Sequence, residues 1–115
     1  MAYNVSTRML CEEVRTLAHG SILAAGTYMG IGDAAAYPAR MILFQNHTDA
    51  DLMFSLDGIV GNFPLKAGVT FILDVSSNKS QDGGFYLAKG ERVYVTQIDA
   101  PSSGSVYVTY FYGKD

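Results

Sequence analysis

Between Pro38 and Leu56 the chain reads PARMILFQNHTDADLMFSL, and its side chains sort into two faces when the backbone is drawn extended. Met41, Leu43 and Gln45 fall on one side and Ile42, Phe44 and Asn46 on the other. After the polar residues 47–51, Leu52, Phe54 and Leu56 alternate with Met53, Ser55 and Asp57. A period of two is the signature of a strand, because successive side chains leave opposite faces. The first run is apolar on both faces. It is therefore expected in the middle of a sheet, with one face on the core and the other under a loop, a terminal segment or a partner chain. The second run ends at Asp57-Gly58, a turn-forming pair: Asp caps its own backbone and Gly accepts positive φ. The two runs are expected to form a hairpin.

The remaining segments repeat this grammar. Residues 69–75 are apolar on both faces; 91–98 alternate Val93 and Val95 against Arg92, Tyr94, Thr96 and Ile98; 105–112 alternate Val106, Val108 and Tyr110 against Tyr107, Thr109 and Phe111. Shorter runs surround Pro64 and Phe85-Tyr86-Leu87, and turn residues recur about every ten positions. Residues 10–18 fit both a short helix, through Leu10, Val14, Leu17 and Ala18, and a strand face of Val14, Thr16 and Ala18. The all-β surroundings favour the strand. Residues 19–32 are glycine-spaced and read as strand, turn, and strand or bulge, with Ser21-Ile22-Leu23 in the first strand. The expectation is an all-β, antiparallel β-sandwich or jelly roll of seven to nine short strands. Residues 1–9 form an arm and 10–115 one domain, since 115 residues supply one two-layer core.

Composition narrows the function classes. Eight Lys and Arg stand against eleven Asp and Glu, a formal charge of -3, and the basic residues are scattered. Nucleic-acid binding is not expected. A single cysteine, Cys11, rules out an internal disulfide framework and a cysteine-built zinc site. The first residues lack the pattern of a signal peptide, and no run of 18 uncharged apolar residues occurs, so cytosolic synthesis without a membrane partner is expected.

The sequence offers little chemistry. His19 and His47 belong to no metal-binding or nucleophile-activating pattern, no GxSxG elbow occurs, and Gly30-Ile31-Gly32 is only a fragment of a phosphate loop. Asp49, Asp51 and Asp57 could be read as hard oxygen ligands for Ca²⁺, but the calcium-loop spacing is absent and capping of turn N–H groups accounts for them. Neither catalysis, a cofactor nor a metal is expected. The polar residues 76–84 read as an exposed loop and a possible contact segment.

Eight tyrosines and six phenylalanines point elsewhere. Tyr107 and Phe111 share the face opposite Val106, Val108 and Tyr110, so both sides of this strand carry large apolar area; one side closes the core, and in so short a chain the cover of the other is expected to be another subunit. Candidate interface residues are Met41, Leu43, Phe44, Tyr94, Tyr107 and Phe111. An aromatic platform for a carbohydrate is the alternative. It would need convergent Asp, Asn or Arg side chains that the sequence does not bring together.

The runs PARMILFQNHTDADLMFSLDG, FPLKAGVTFILDVSSNK, GFYLAKGERVYVTQ and SGSVYVTYFYG resemble small structural proteins of tailed bacteriophage virions. The similarity covers residues 38–113. Its signatures are an Asn-x-Thr-Asp turn before an apolar strand and a Ser-x-Asp-Gly turn after it, matched by Asn46, Thr48, Asp49, Ser55, Asp57 and Gly58. The resemblance implies a multicopy, non-enzymatic sandwich or jelly-roll protein made in the host cytoplasm and residing in the virion. It would be a capsid decoration (cement) protein on the major capsid protein, or a component joining the tail, portal vertex or a fibre. The resemblance carries over no catalytic residue; the homo-oligomer expected here rests on the two-sided apolar runs 41–44 and 105–112.

Overall fold

The computed structural model describes residues 8–74, 79–80, 83–84 and 87–114. Its strands are β1 (Arg8–Cys11), β2 (Arg15–Ala18), β3 (Met29–Gly30), β4 (Met41–Thr48), β5 (Leu52–Ser55), β6 (Phe63–Leu65), β7 (Thr70–Asp74), β8 (Lys79–Ser80), β9 (Gly83–Gly84), β10 (Tyr94–Gln97) and β11 (Gly104–Lys114). Two antiparallel sheets result. The larger runs β1-β11-β4-β7, with β2 also paired to β11, and the smaller runs β3-β10-β5-β6; β8 and β9 pair only with each other. The pairing is nested: β2 with β11, β3 with β10, β4 with β7 and β5 with β6.

The expected alternation decides the core. Ile42, Phe44, Val106, Val108 and Tyr110 of the larger sheet face Leu52, Phe54, Val93 and Val95 of the smaller, all buried. Phe44 meets Phe54 and Phe63 edge-on at 5.8 and 5.0 Å between centroids. Such contacts add to the area term, and losing a buried phenylalanine ring costs about 3–5 kcal/mol.

The expected hairpin of residues 41–56 is not formed. β4 lies in the larger sheet and β5 in the smaller, so residues 49–51 cross between layers, and Phe44 and Phe54 look at each other across the core. Residues 47–51 contain no glycine, and among the described residues only glycine has positive φ, so this link has no tight two-residue hairpin turn. The hairpin instead follows, between β5 and β6, with Gly58 at φ +79 in its loop. The next turn, from Lys66 to Val69, is closed by Val69 N–H donating to Lys66 O at 3.1 Å and places Gly68 at φ +80.

Residues 8–11 and 15–18 are strands along β11, so the ambiguous early segment is extended. Arg8 and Met9, expected in the arm, pair with Lys114 and Gly113. Residues 1–7, the rest of that arm, lie outside the described residues, as do most of the 76–84 loop and Phe85-Tyr86. His19–Ser21 is a turn of 3-10 helix, not the expected strand start. The chain after it runs beside β10, where Gln97 Nε2 donates to Ile22 O and Gln97 N–H to Leu23 O.

Candidate functional site

The polar turn residues are all engaged with the chain's own backbone. Asn46 is fully buried, and its Nδ2 donates to Ala50 O and Leu65 O, both at 3.0 Å. Its Oδ1 accepts from Thr48 N–H and, at 2.7 Å, Thr48 Oγ1. Asp49 accepts Ser102 N–H at 2.8 Å, the Ser102 hydroxyl and Ser103 N–H. These bonds, led by the hydroxyl, hold its carboxyl down at about 2. Asp51 Oδ1 accepts Ala67 N–H. Asp57 Oδ1 accepts Ile59 N–H, Val60 N–H and the Ser55 hydroxyl, and in that order they lower its pKa. Each carboxylate therefore caps a different stretch of backbone. Among the described residues no three His, Cys, Asp or Glu side chains are grouped to hold a metal ion.

The histidines are equally occupied. His19 Nδ1 sits 3.1 Å from Gly104 O, and the His47 ring stands edge-on to Tyr107 at 5.5 Å. A groove of about 370 Å³ lies over Glu13, Val14, Arg15, Thr16, Gly32 and Asp33. Its one cation is spent internally: the Arg15 guanidinium donates to Asp33 O, Glu13 O, Ala34 O and the Glu12 carboxylate. That leaves a clamp between β2 and the loop after β3, and a groove with no free cation among its lining residues.

Unspent surface is found on the outside of the larger sheet. Register sets its rows: Cys11, Phe111, Met41 and Asp74 lie side by side, then Thr109, Leu43 and Ile72, then Thr16, Tyr107, Gln45 and Thr70, then Ala18, Ser105 and His47. The face thus grades from apolar at the β1 end to polar at the Gly104 end. None of these residues is buried, and Ile72 is 53% exposed. Met9, one alternation beyond Cys11, is 51% exposed.

The smaller sheet is built differently. On its outer face Ser55 and Thr96 are buried, because the chain's own loops cover them. Thr96 Oγ1 donates to Ala24 O at 2.8 Å. Gly58 lies so close to the Tyr94 ring that an added Cβ would sit 3.1 Å from it, and Gly61 approaches Met53 and the Tyr28 hydroxyl still more tightly. The smaller sheet is roofed by its own loops, on which Ile59 and Val60 are 79% and 56% exposed, whereas the larger sheet is bare of any such roof over the described residues and its Met41, Leu43 and Phe111 are half-buried.

Four of the six expected interface residues, Met41, Leu43, Tyr107 and Phe111, come together on the bare face. Phe44 does not: it points inward and is 0% exposed, because it falls on the even-numbered core face of β4. Tyr94 belongs to the opposite sheet, under Gly58 and with the Arg92 guanidinium 5.7 Å from its ring centroid. Comparison with protein-family models and with curated proteins finds no match to this chain. Sequence reasoning missed Met9, Cys11 and Ile72. The two-sided apolar pattern of residues 69–75 was the available signal for Ile72, whereas Met9 and Cys11 join the patch only through pairing across β11.

Proposed function

We propose that this chain is a non-enzymatic virion assembly protein of a tailed phage, a capsid decoration (cement) protein that docks the apolar half of its larger sheet on the shell. The supporting observation is the asymmetry of the sandwich, in which Met41, Leu43, Ile72 and Phe111 share a bare face while the other sheet is roofed by its own loops. A roof on one layer and apolar area on the other is what a module needs when it is to be buried from one side. The nested strand pairing, read as a jelly roll, agrees with this, since that architecture recurs in viral capsid proteins. The virion address itself comes from the resemblance of the turn signatures. A tail or portal-vertex joining role uses the same face and differs in copy number.

The test is co-sedimentation of the purified chain with particles or assembled shells. Leu43→Glu and Met41→Glu, half-buried on the bare face, are expected to weaken binding by on the order of 10–100-fold while the folded spectrum persists. Ile98→Glu, on an exposed site after β10, is the control. Undiminished binding by both face variants would overturn the assignment. Quantitative mass spectrometry then separates the addresses: abundance close to that of the major shell protein supports decoration, and about a dozen copies or fewer, as in a vertex ring, gives the joining role.

A further inference from the structure

The four sheet edges of the sandwich are not alike. β3 has two residues and is prolonged by chain already bonded to β10; β6 carries Pro64, which has no N–H to offer; β1 and β2 are four residues each and broken by residues 12–14. Short strands, interruptions and proline are the ways a sheet discourages pairing with another chain. β7 (Thr70–Asp74) has none of these, and it ends the larger sheet with no further strand beside it among the described residues. It also exposes apolar area on both faces: Phe71 is 38% and Ile72 53% exposed, and Val69 just before it 39%.

The direction of its backbone follows from the bonds at its start. Asn46 N–H donates to Val69 O, so Val69, Phe71 and Leu73 turn their backbone groups toward β4, and Thr70 and Ile72 turn theirs outward. We propose that β7 is a homodimerisation edge, pairing antiparallel with β7 of a second copy about a two-fold axis through Ile72. That register overlaps the whole strand. It sets Ile72 against Ile72, Thr70 against Asp74 and Phe71 against Leu73 of the other copy, so the only charge on the strand meets a hydroxyl and never its own like charge. Phe71 and Phe63, which touch at 5.2 Å at the open side of the core, gain a cover. The two bare faces also become one continuous apolar surface, with Ile72 at its centre. The second copy is preferred over an unrelated extended peptide because the strand is complementary to itself in this register. The inference does not depend on the virion reading.

Sedimentation equilibrium of the full chain is expected to show dimers at about 100 µM, and Ile72→Lys, which sets two ammonium groups against each other on the axis, to raise the dissociation constant at least about tenfold. Ile98→Lys is expected to leave it unchanged. Register is tested in a Cys11→Ser background, because Cys11 is an exposed free thiol. Residues facing each other in a hydrogen-bonded antiparallel pair have Cα atoms about 5.5 Å apart, within disulfide reach. Ile72→Cys should therefore oxidise to a covalent dimer, whereas Thr70→Cys, placed opposite Asp74, should not. A monomeric wild type, a dimer indifferent to Ile72→Lys, or cross-linking at position 70 instead of 72 overturns the proposal. The cysteine arm still decides if the lysine variant fails to fold. A dimer that ignores phage particles would refute the virion reading and leave this one standing.

Discussion

Asn46 is the residue whose loss should tell most about how the sandwich is held. It sits where β4 leaves the larger sheet, and its amide ties the crossing at Ala50 to β6 at Leu65 while accepting from Thr48. Asn46→Ala removes all four bonds. Ala50 O keeps the Thr48 hydroxyl as a donor, at 3.1 Å, but Thr48 N–H and Leu65 O lose this buried partner. At about 1–3 kcal/mol for each buried group stranded, plus a small cavity, we predict a loss of about 3–5 kcal/mol. Against a typical total of about 5–15 kcal/mol this is a large fraction. Urea unfolding followed by circular dichroism reads it directly: at a slope near 1–3 kcal/mol/M the midpoint should fall by about 2 M with the slope unchanged. Asn46→Asp should be as damaging at neutral pH, because a second carboxylate oxygen then faces the Ala50 and Leu65 carbonyls, and should recover part of the loss in acid. A loss below about 1 kcal/mol for Asn46→Ala would refute the reasoning, since it would mean that water or backbone shifts satisfy those groups.

Polar groups in known positions set three further outcomes. Val93 N–H donates to the Tyr110 hydroxyl at 3.0 Å inside the core, so Tyr110→Phe should lower the melting temperature by on the order of 5–10 °C, the equivalent of one stranded buried donor. Burial pushes the Tyr110 hydroxyl above its ordinary value, so its contribution is complete below about pH 10 and lost as pH rises through the folded value; the alkaline limb of a stability–pH curve should be flatter in the phenylalanine variant, from its lower starting stability. On the acid side the sign reverses. The Asp49 carboxyl is depressed to about 2 from 3.8, and Asp57 shifts the same way, so their stabilisation is present above the unfolded value and is lost as pH falls from about 4 toward 2. Asp49→Asn should flatten the acid limb of a stability–pH curve, and an unchanged limb would show that the Ser102 and Ser103 bonds do not persist in solution.

Period two was enough to assign faces. Ile42 and Phe44, Val93 and Val95, and Val106, Val108 and Tyr110 share faces as their alternation requires, and all are buried; which face is the core was not legible, so Phe44 was expected at the interface. Periodicity says nothing about which strand lies beside which, and that is where the expected hairpin failed: a crossing and a hairpin place Phe44 and Phe54 on the same side of their own strands. Turn chemistry held the missing information, since residues 47–51 offer no glycine for a tight hairpin while Asp57-Gly58 does. The same gap explains the interface residues. Phe44 was separable from Met41 and Leu43 by parity alone, but the distance of Tyr94 from Tyr107 depends on sheet membership, which no local pattern encodes.

The residues that carry the phage resemblance and the residues of the bare face do different work. Asn46, Thr48 and Asp49 join the β4–β5 crossing to β6 and to the β10–β11 connection, and Ser55, Asp57 and Gly58 shape the loop that packs on Tyr94. Every side-chain polar atom in that set for which a bond is described is used on the chain's own loops, so the signatures report how the crossings are built. Met41, Leu43, Ile72 and Phe111 make no such bonds and present carbon to the outside. A fold staple and a docking face that share no residue can be perturbed separately. Staple variants such as Asn46→Ala should lose stability and keep particle binding as long as they remain folded, and face variants such as Leu43→Glu should lose binding with a smaller fall in the unfolding midpoint, since Leu43 is half-buried. If the two sets moved together, docking would have to run through the crossing loops, and the apolar face would be no more than the back of the sheet.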